Sequence, residues 1–269
     1  MRELRPRRTD VHALDGNHVM SSVRRILISG GTAGIGLATA RLLLEQGDRV
    51  VISGRSPERG AAALRSLNHS EASFIACDAS DPAQCIAMVE TAAERLGGID
   101  ALVSSAGGNP RPRLLKDTPC EDLLPSINRS LAPTIMPARA ILPLMTDQGG
   151  GSIVCFASDA GKLSTPGEVA IGAAMAGIIM FCRAMAEETK RNGIRVNCIT
   201  PSIVEGTELH DDLMADTFAG KLFTKAKLRA DLGVVQASEV AALANFLISA
   251  AAVRITGQTI SITGGISTI

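Results

Sequence analysis

Ser29-Gly30-Gly31-Thr32-Ala33-Gly34-Ile35-Gly36 decides the fold of this chain. An apolar run at residues 26–29 leads into it, and residues 36–45, with apolar side chains at helical spacing, follow it. In Gly30-x-x-x-Gly34-x-Gly36 the first glycine lets the chain turn sharply from strand to helix. The other two admit a pyrophosphate against the backbone and let helix pack on strand. Phosphates then sit at the helix N-terminus, where unpaired N–H groups and the helix dipole favour anions. Strand, glycine turn and helix in one βα unit predict a dinucleotide-binding turn through Gly30, Thr32, Ala33, Gly34, Ile35 and Gly36.

Outward from this turn the alternation continues. Apolar runs at 26–29, 50–53, 73–77, 101–104, 152–156, 195–199 and 259–262 predict seven strands. Helical spacing at 36–45, 83–95, 131–145, 173–190 and 237–250 predicts helices between them. Alternating strands and helices imply a parallel sheet covered on both faces, here a single Rossmann-type, doubly wound α/β domain over residues 25–269. Residues 207–231, with mixed charge, read as a mobile helical lid. Residues 1–24 read as a disordered or loosely ordered basic extension carrying Arg2, Arg5, Arg7 and Arg8, with Met20 as an alternative start.

Composition narrows the function classes. Net charge is +0 from 27 basic and 27 acidic residues among 269, which argues against nucleic-acid partners. No uninterrupted apolar run reaches the ~18 residues of a membrane span, and the N-terminus lacks a signal-peptide core. Cys77, Cys85, Cys120, Cys155, Cys182 and Cys198 form no C-x-x-C pair and no metal spacing, so they read as free thiols of a cytoplasmic protein without a metal site.

The second strand ends in Gly54-Arg55-Ser56. An acidic residue here would accept from ribose hydroxyls and repel a 2′-phosphate, whereas the Arg55 guanidinium can pair with phosphate bidentately. NADP(H) is therefore favoured over NAD(H), with Arg55 and Ser56 at the 2′-phosphate.

Further motifs match in order and spacing. They are Cys77-Asp78-Ala79, Ser104-Ser105-Ala106-Gly107, Arg195-Val196-Asn197, Pro201-Ser202-Ile203 through Thr207, and Ile255-Thr256-Gly257-Gln258. With the glycine turn, they make the chain from residue 25 onward resemble the short-chain dehydrogenase/reductase family. The resemblance implies an oxidoreductase ancestry and a homo-oligomer, tetramer or dimer, built on two long helices. It also implies that Asp78 and Ala79 meet the adenine, and that Ser105, Ala106, Gly107, Pro201, Ile203 and Thr207 line the rest of the cofactor site. Ala33 is the other position where NADP binders of this family often carry a basic residue.

The family's acid/base chemistry rests on Tyr-x-x-x-Lys. A phenol near pKa 10 gives its proton with help from the lysine. This chain has no tyrosine, and Ile171 and Met175 stand at the two positions. Neither side chain exchanges a proton. The family's serine is matched by Ser158, a hydrogen-bonding partner for substrate. Its asparagine falls at Ser130, with Asn128 two residues earlier. Other candidates each leave two roles open. Asp159 is a turn cap or faces the nicotinamide. Glu168 is a solvated loop charge or lines the substrate pocket. Arg129 is a surface ion-pair partner or a substrate oxyanion partner. His210, beside Asp211 in the lid, is a surface group or a proton donor, and Lys162 reads as an exposed-loop charge. Three functions stay open: an NADP(H)-dependent reductase of a small hydrophobic ketone, enone or imine with a non-standard proton supply; a non-redox isomerase, cyclase or lyase; and an inactive NADP(H)-binding pseudoenzyme.

Overall fold

The computed structural model describes residues 23–269. The expected N-terminal extension, with both candidate starts, lies outside them except for Val23 and Arg24. Arg24 belongs to the folded body. Its guanidinium holds Asp48 Oδ2 at 2.5 Å and Asn245 Oδ1 at 2.9 Å, and its backbone N–H donates to Asp48 Oδ1 at 3.1 Å.

The chain runs β1 (Arg25–Ser29), α1 (Gly34–Glu45), β2 (Arg49–Gly54), α2 (Pro57–Leu67), β3 (Ala72–Ala76), α3 (Pro82–Leu96), β4 (Ala101–Ser104), α4 (Cys120–Ala140), α5 (Leu142–Asp147) and β5 (Gly151–Phe156). It continues with α6 (Val169–Thr189), β6 (Ile194–Pro201), β7 (Val204–Glu205), α7 (Glu208–Ala215), α8 (Thr217–Lys227), β8 (Val235–Gln236), α9 (Ala237–Ile248) and β9 (Thr259–Ile262). As expected, seven strands pair in parallel; their order is β3-β2-β1-β4-β5-β6-β9. The order reverses between β1 and β4, and a crevice opens at the carboxyl ends of such a pair.

Both faces of each central strand are apolar, as a doubly covered parallel sheet requires. Leu27, Val51, Leu102, Ile153 and Val196 point to the side of α3, α4 and α6. Ile26, Ile28, Val50, Ile52, Val103 and Val154 point to the side of α1 and α9.

Helices α2 and α4 differ from expectation. Helix α2 was not anticipated. Its sequence, Pro-Glu-Arg-Gly-Ala-Ala, is polar at the start and interrupted by Gly60, which a Cβ would drive to 2.5 Å from the Phe74 ring. Helix α4 begins at Cys120, eleven residues ahead of the expected 131, because Pro125 and Pro133 mask its period. It also ends at Ala140, and α5 restarts at Leu142 with proline in its first turn, where one helix running on to 145 was expected. Residues 207–231 hold α7 and α8, and the short β7–β8 ribbon joins that region to the body.

Helix α6 with its trailing 3-10 turn, Val169–Asn192, is long and apolar enough by composition to cross a membrane, with mean hydropathy 1.9. The expectation from uninterrupted runs missed it because small and polar residues break the run. Its apolarity has a core role: Ala174, Met175, Ile178, Ile179, Cys182 and Met185 are buried against α4, β5 and β6.

Ile153, fully buried at the sheet centre, sets the scale of core packing. Replacing it by alanine is expected to cost about 2–5 kcal/mol. Urea unfolding followed by circular dichroism reads this loss, since the chain has neither Trp nor Tyr to fluoresce.

Candidate active site

The glycine turn is locked by backbone contacts. Gly30 N and Gly31 N donate to Ser53 O, both at 3.0 Å, and Ser105 N donates to Ser29 O at 2.8 Å. Gly30 has φ +81°, and a Cβ there would stand 2.4 Å from Ala106 N. A Cβ on Gly36 would stand 2.2 Å from Gly30 O. Gly36 is buried and closes the turn from within, so its part is packing, while the other five expected turn residues line the cleft.

Helix α1 carries no side-chain cap at Ala33 and no acidic residue in its first turn. Helices α2 and α7, which open on the same cleft, are capped by Ser56 and Thr207. The first N–H groups of α1 are therefore left for an anion, which is what a pyrophosphate requires. Glycine cradle and uncapped helix together fit a dinucleotide.

One cleft of about 1040 Å³ contains nearly every residue the sequence singled out. Arg55, Ser56, Asp78 and Ala79 line one end, Ser105, Ala106 and Gly107 the middle, and Pro201, Ile203 and Thr207 the wall toward the lid. Asp78 Oδ1 accepts from Ser80 Oγ at 2.7 Å and Ser80 N at 2.9 Å. These bonds, with the nearby Arg55 charge, hold the Asp78 carboxyl below its ordinary range.

At the other end stand Arg129, Ser130, Ser158, Asp159, Glu168, Ile171 and Met175. Ser130 is buried in the wall, and Asn128, its alternative, is outside the cleft. Arg129 packs its stem near Gly108. Ser158 Oγ accepts from Ala160 N at 3.2 Å, which leaves its O–H to donate.

Asp159 is 5 % exposed. Its Oδ2 accepts from Ser267 Oγ, and its Oδ1 has no partner among the described residues. It does not cap the turn; Ser158 does. Glu168 precedes α6 without capping it. Burial pushes its carboxyl above the ordinary range; a bond from Thr165 opposes this, and the Asp159 charge adds to it. Lys162 departs from expectation. It is partly buried, and its Nζ donates to Ser261 Oγ at 2.7 Å, tying its loop to β9. Burial holds its pKa down.

In the lid, His210 lines the cleft. Lys227 Nζ stands 2.8 Å from its Nε2, and Asp211 Oδ1 stands 2.9 Å from its Nδ1. Lys227 also donates to Glu205 Oε1 at 2.8 Å. Sequence reading missed Lys227 and Glu205, which the fold brings to His210 from α8 and β7.

All six cysteines are free, as expected, and five are buried. No group of His, Cys, Asp and Glu among the described residues has the makings of a metal site.

Comparisons with known proteins agree with this geometry. The family model described as enoyl-(acyl carrier protein) reductase matches residues 30–267. The 3-oxoacyl-(acyl-carrier-protein) reductase FabG of Vibrio harveyi is 34 % identical over 242 residues, covering 89 % of this chain and 95 % of its own. Among solved structures, a single-residue variant of actinorhodin polyketide ketoreductase with NADPH superposes with TM-score 0.83 at 28 % identity, over 91 % of this chain and 98 % of its own. An NADPH-bound short-chain oxidoreductase from Pseudomonas aeruginosa PAO1, described as containing an atypical catalytic center, gives TM-score 0.82 at 30 % identity, over 91 % and 97 %.

The crowding at Gly30 predicts a local failure. Gly30→Ala must shift β4 or the turn and adopt a left-handed φ, a conformational cost of about 1–2 kcal/mol before the clash is counted. The melting temperature is expected to fall by about 2–4 °C per kcal/mol, and calorimetry on the full chain checks it.

Proposed function

The chain belongs to the short-chain dehydrogenase/reductase family, and from that premise we propose that it is an NADP(H)-dependent oxidoreductase with a proton supply other than a tyrosine–lysine pair. Its substrate is a small hydrophobic ketone, enone or imine. The observation that carries this reading is a single cleft. It holds the glycine turn, the uncapped α1 and Arg55 at one end, and Ser158 with Glu168 at the other, where Ile171 and Met175 occupy the family's acid/base positions.

The NADPH-bound relatives support the cofactor assignment. Gly30, Thr32, Ala33, Gly34 and Ile35 would hold the pyrophosphate, Arg55 and Ser56 a 2′-phosphate, and Asp78 and Ala79 the adenine. Ser105, Ala106, Gly107, Pro201, Ile203 and Thr207 would hold the remaining half. When bound, the cofactor supplies the hydride. The protein orients the acceptor and handles the proton. Ser158 donates its free O–H to the substrate oxygen or nitrogen. Glu168, its pKa raised by burial beside Asp159, keeps a proton at higher pH than a solvated carboxyl does. Ile171 and Met175 give this end an apolar lining that favours a hydrophobic substrate.

The same proposal includes a cytoplasmic location, which suits six free thiols. It also includes a homo-oligomer formed through α4 and α6, where Leu124, Val169 and Met180 are exposed.

Three outcomes test the proposal. NADPH absorbance is expected to fall stoichiometrically with at least one cyclic imine, enone or hydrophobic ketone. Product formation with NADPH constant would instead mark a non-redox isomerase, cyclase or lyase, and binding without any product an inactive NADP(H)-binding protein. Glu168 acts in its protonated form, so the rate is full below its raised pKa and falls as pH rises through it. Glu168→Gln is expected to lower the rate about 10²–10⁴-fold and to abolish that alkaline fall. Finally, Ile171→Tyr with Met175→Lys is expected to create ordinary carbonyl reductase activity, assayed on a simple ketone.

A further inference from the structure

Arg59 was not singled out by the sequence, yet it reaches the cofactor end of the cleft. It sits in the first turn of α2, where Ser56 Oγ accepts its backbone N–H at 3.1 Å. Its side chain leaves the helix and crosses to the lid, where Nη2 holds Glu208 Oε2 at 2.6 Å. Glu208 follows Thr207 directly, and the Thr207 methyl lies 3.6 Å from where a Cβ on Gly34 would stand. The Arg59 side chain therefore ties the first turn of α2 to the first turn of α7 at the cleft. Ala33, Arg55, Ser56 and Arg59 all line this stretch of the cleft.

Three observations bear on what it does there. Position 33 of the turn holds alanine, so the glycine loop itself contributes no cation beside Arg55. Arg59 supplies a second positive charge to the same stretch from a different element. Its partner pair is wet, with side chains 53 % and 69 % exposed, and an ion pair in that setting is weakly held and readily exchanged. A phosphate dianion offers a guanidinium two oxygens and more charge than one carboxylate does.

We propose that Arg59 is a second ligand for a 2′-phosphate on the adenosine ribose, and that Glu208 competes with that phosphate for it. This rests on the NADP(H) reading above. Arg55 and Arg59 then close on the phosphate from the end of β2 and from α2. Capturing Arg59 also releases its tie to α7, so recognition of the phosphorylated cofactor is coupled to the freedom of the lid.

The test is calorimetric titration of the full chain with adenosine 2′,5′-bisphosphate and with 5′-AMP, which needs no turnover. The parent is expected to bind the bisphosphate more tightly. Arg59→Ala is expected to weaken the bisphosphate about tenfold, the scale of a lost charge-assisted bond, and to leave 5′-AMP unchanged. Glu208→Gln is expected to tighten the bisphosphate several-fold. If the parent prefers the bisphosphate but Arg59→Ala does not reduce that preference, or weakens both ligands equally, the role of Arg59 is overturned and the NADP(H) reading stands. If Glu208→Gln leaves the bisphosphate unchanged or weakened, the competition is overturned. If the parent shows no preference at all, the NADP(H) reading falls and the proposal with it.

Discussion

Backbone meets backbone where Gly30 crosses the end of β4, and the rest of the molecule is arranged around that approach. A single methyl group would not fit between Gly30 and Ala106, nor between Gly36 and Gly30 O. With both gaps closed, β1 hands over to α1 within a few residues, and the α1 N-terminus comes to face the crevice uncapped. The crevice exists because the strand order reverses between β1 and β4. Topology therefore places the uncapped end of α1 at the crevice, and two glycines without side chains let the turn close tightly beneath it.

The far end of the cleft is organised differently. There the protein surrounds Ser158 with carboxyls and apolar groups. Asp159 is buried with one oxygen bound to Ser267 and the other without a partner among the described residues, and Glu168 is pushed toward its protonated form beside it. Burial is the main cause of the Glu168 shift, and the Asp159 charge adds to it. Lys162, the nearest ammonium in sequence, is turned away to Ser261 on β9. Ile171 and Met175 line the same end of the cleft and leave it apolar.

Helices α7 and α8 line the cleft and are held by polar contacts at several points. Asn109 donates to Asp212 at 3.0 Å, Lys227 bridges His210 and Glu205, and Arg59 holds Glu208. The Arg59–Glu208 pair is exposed and contributes little, whereas the Lys227 contacts to His210 and Glu205 are partly buried. Leu213, Ala219 and Gly220 of the same segment are buried.

The seven strands were legible because each is a short apolar run bounded by turn residues, and β4 and β9 fall at the residues expected. Most residues expected at the cofactor site line one cleft, since they stand at fixed offsets from strand ends. Helix α2 and the start of α4 were not legible: glycine and proline at 60, 125 and 133 obscure the helical period, and only packing against Phe74 and α6 sustains those helices. The sequence by itself determined the strand order's raw material, the glycine turn, and the absence of a phenol from the acid/base position. Tertiary structure alone decided that Lys162 turns to β9, that Asp159 is met by Ser267, and that Arg59 is shared with Glu208. Those partners lie 99, 108 and 149 residues apart in the chain, and no local periodicity encodes which charges a fold will bring together.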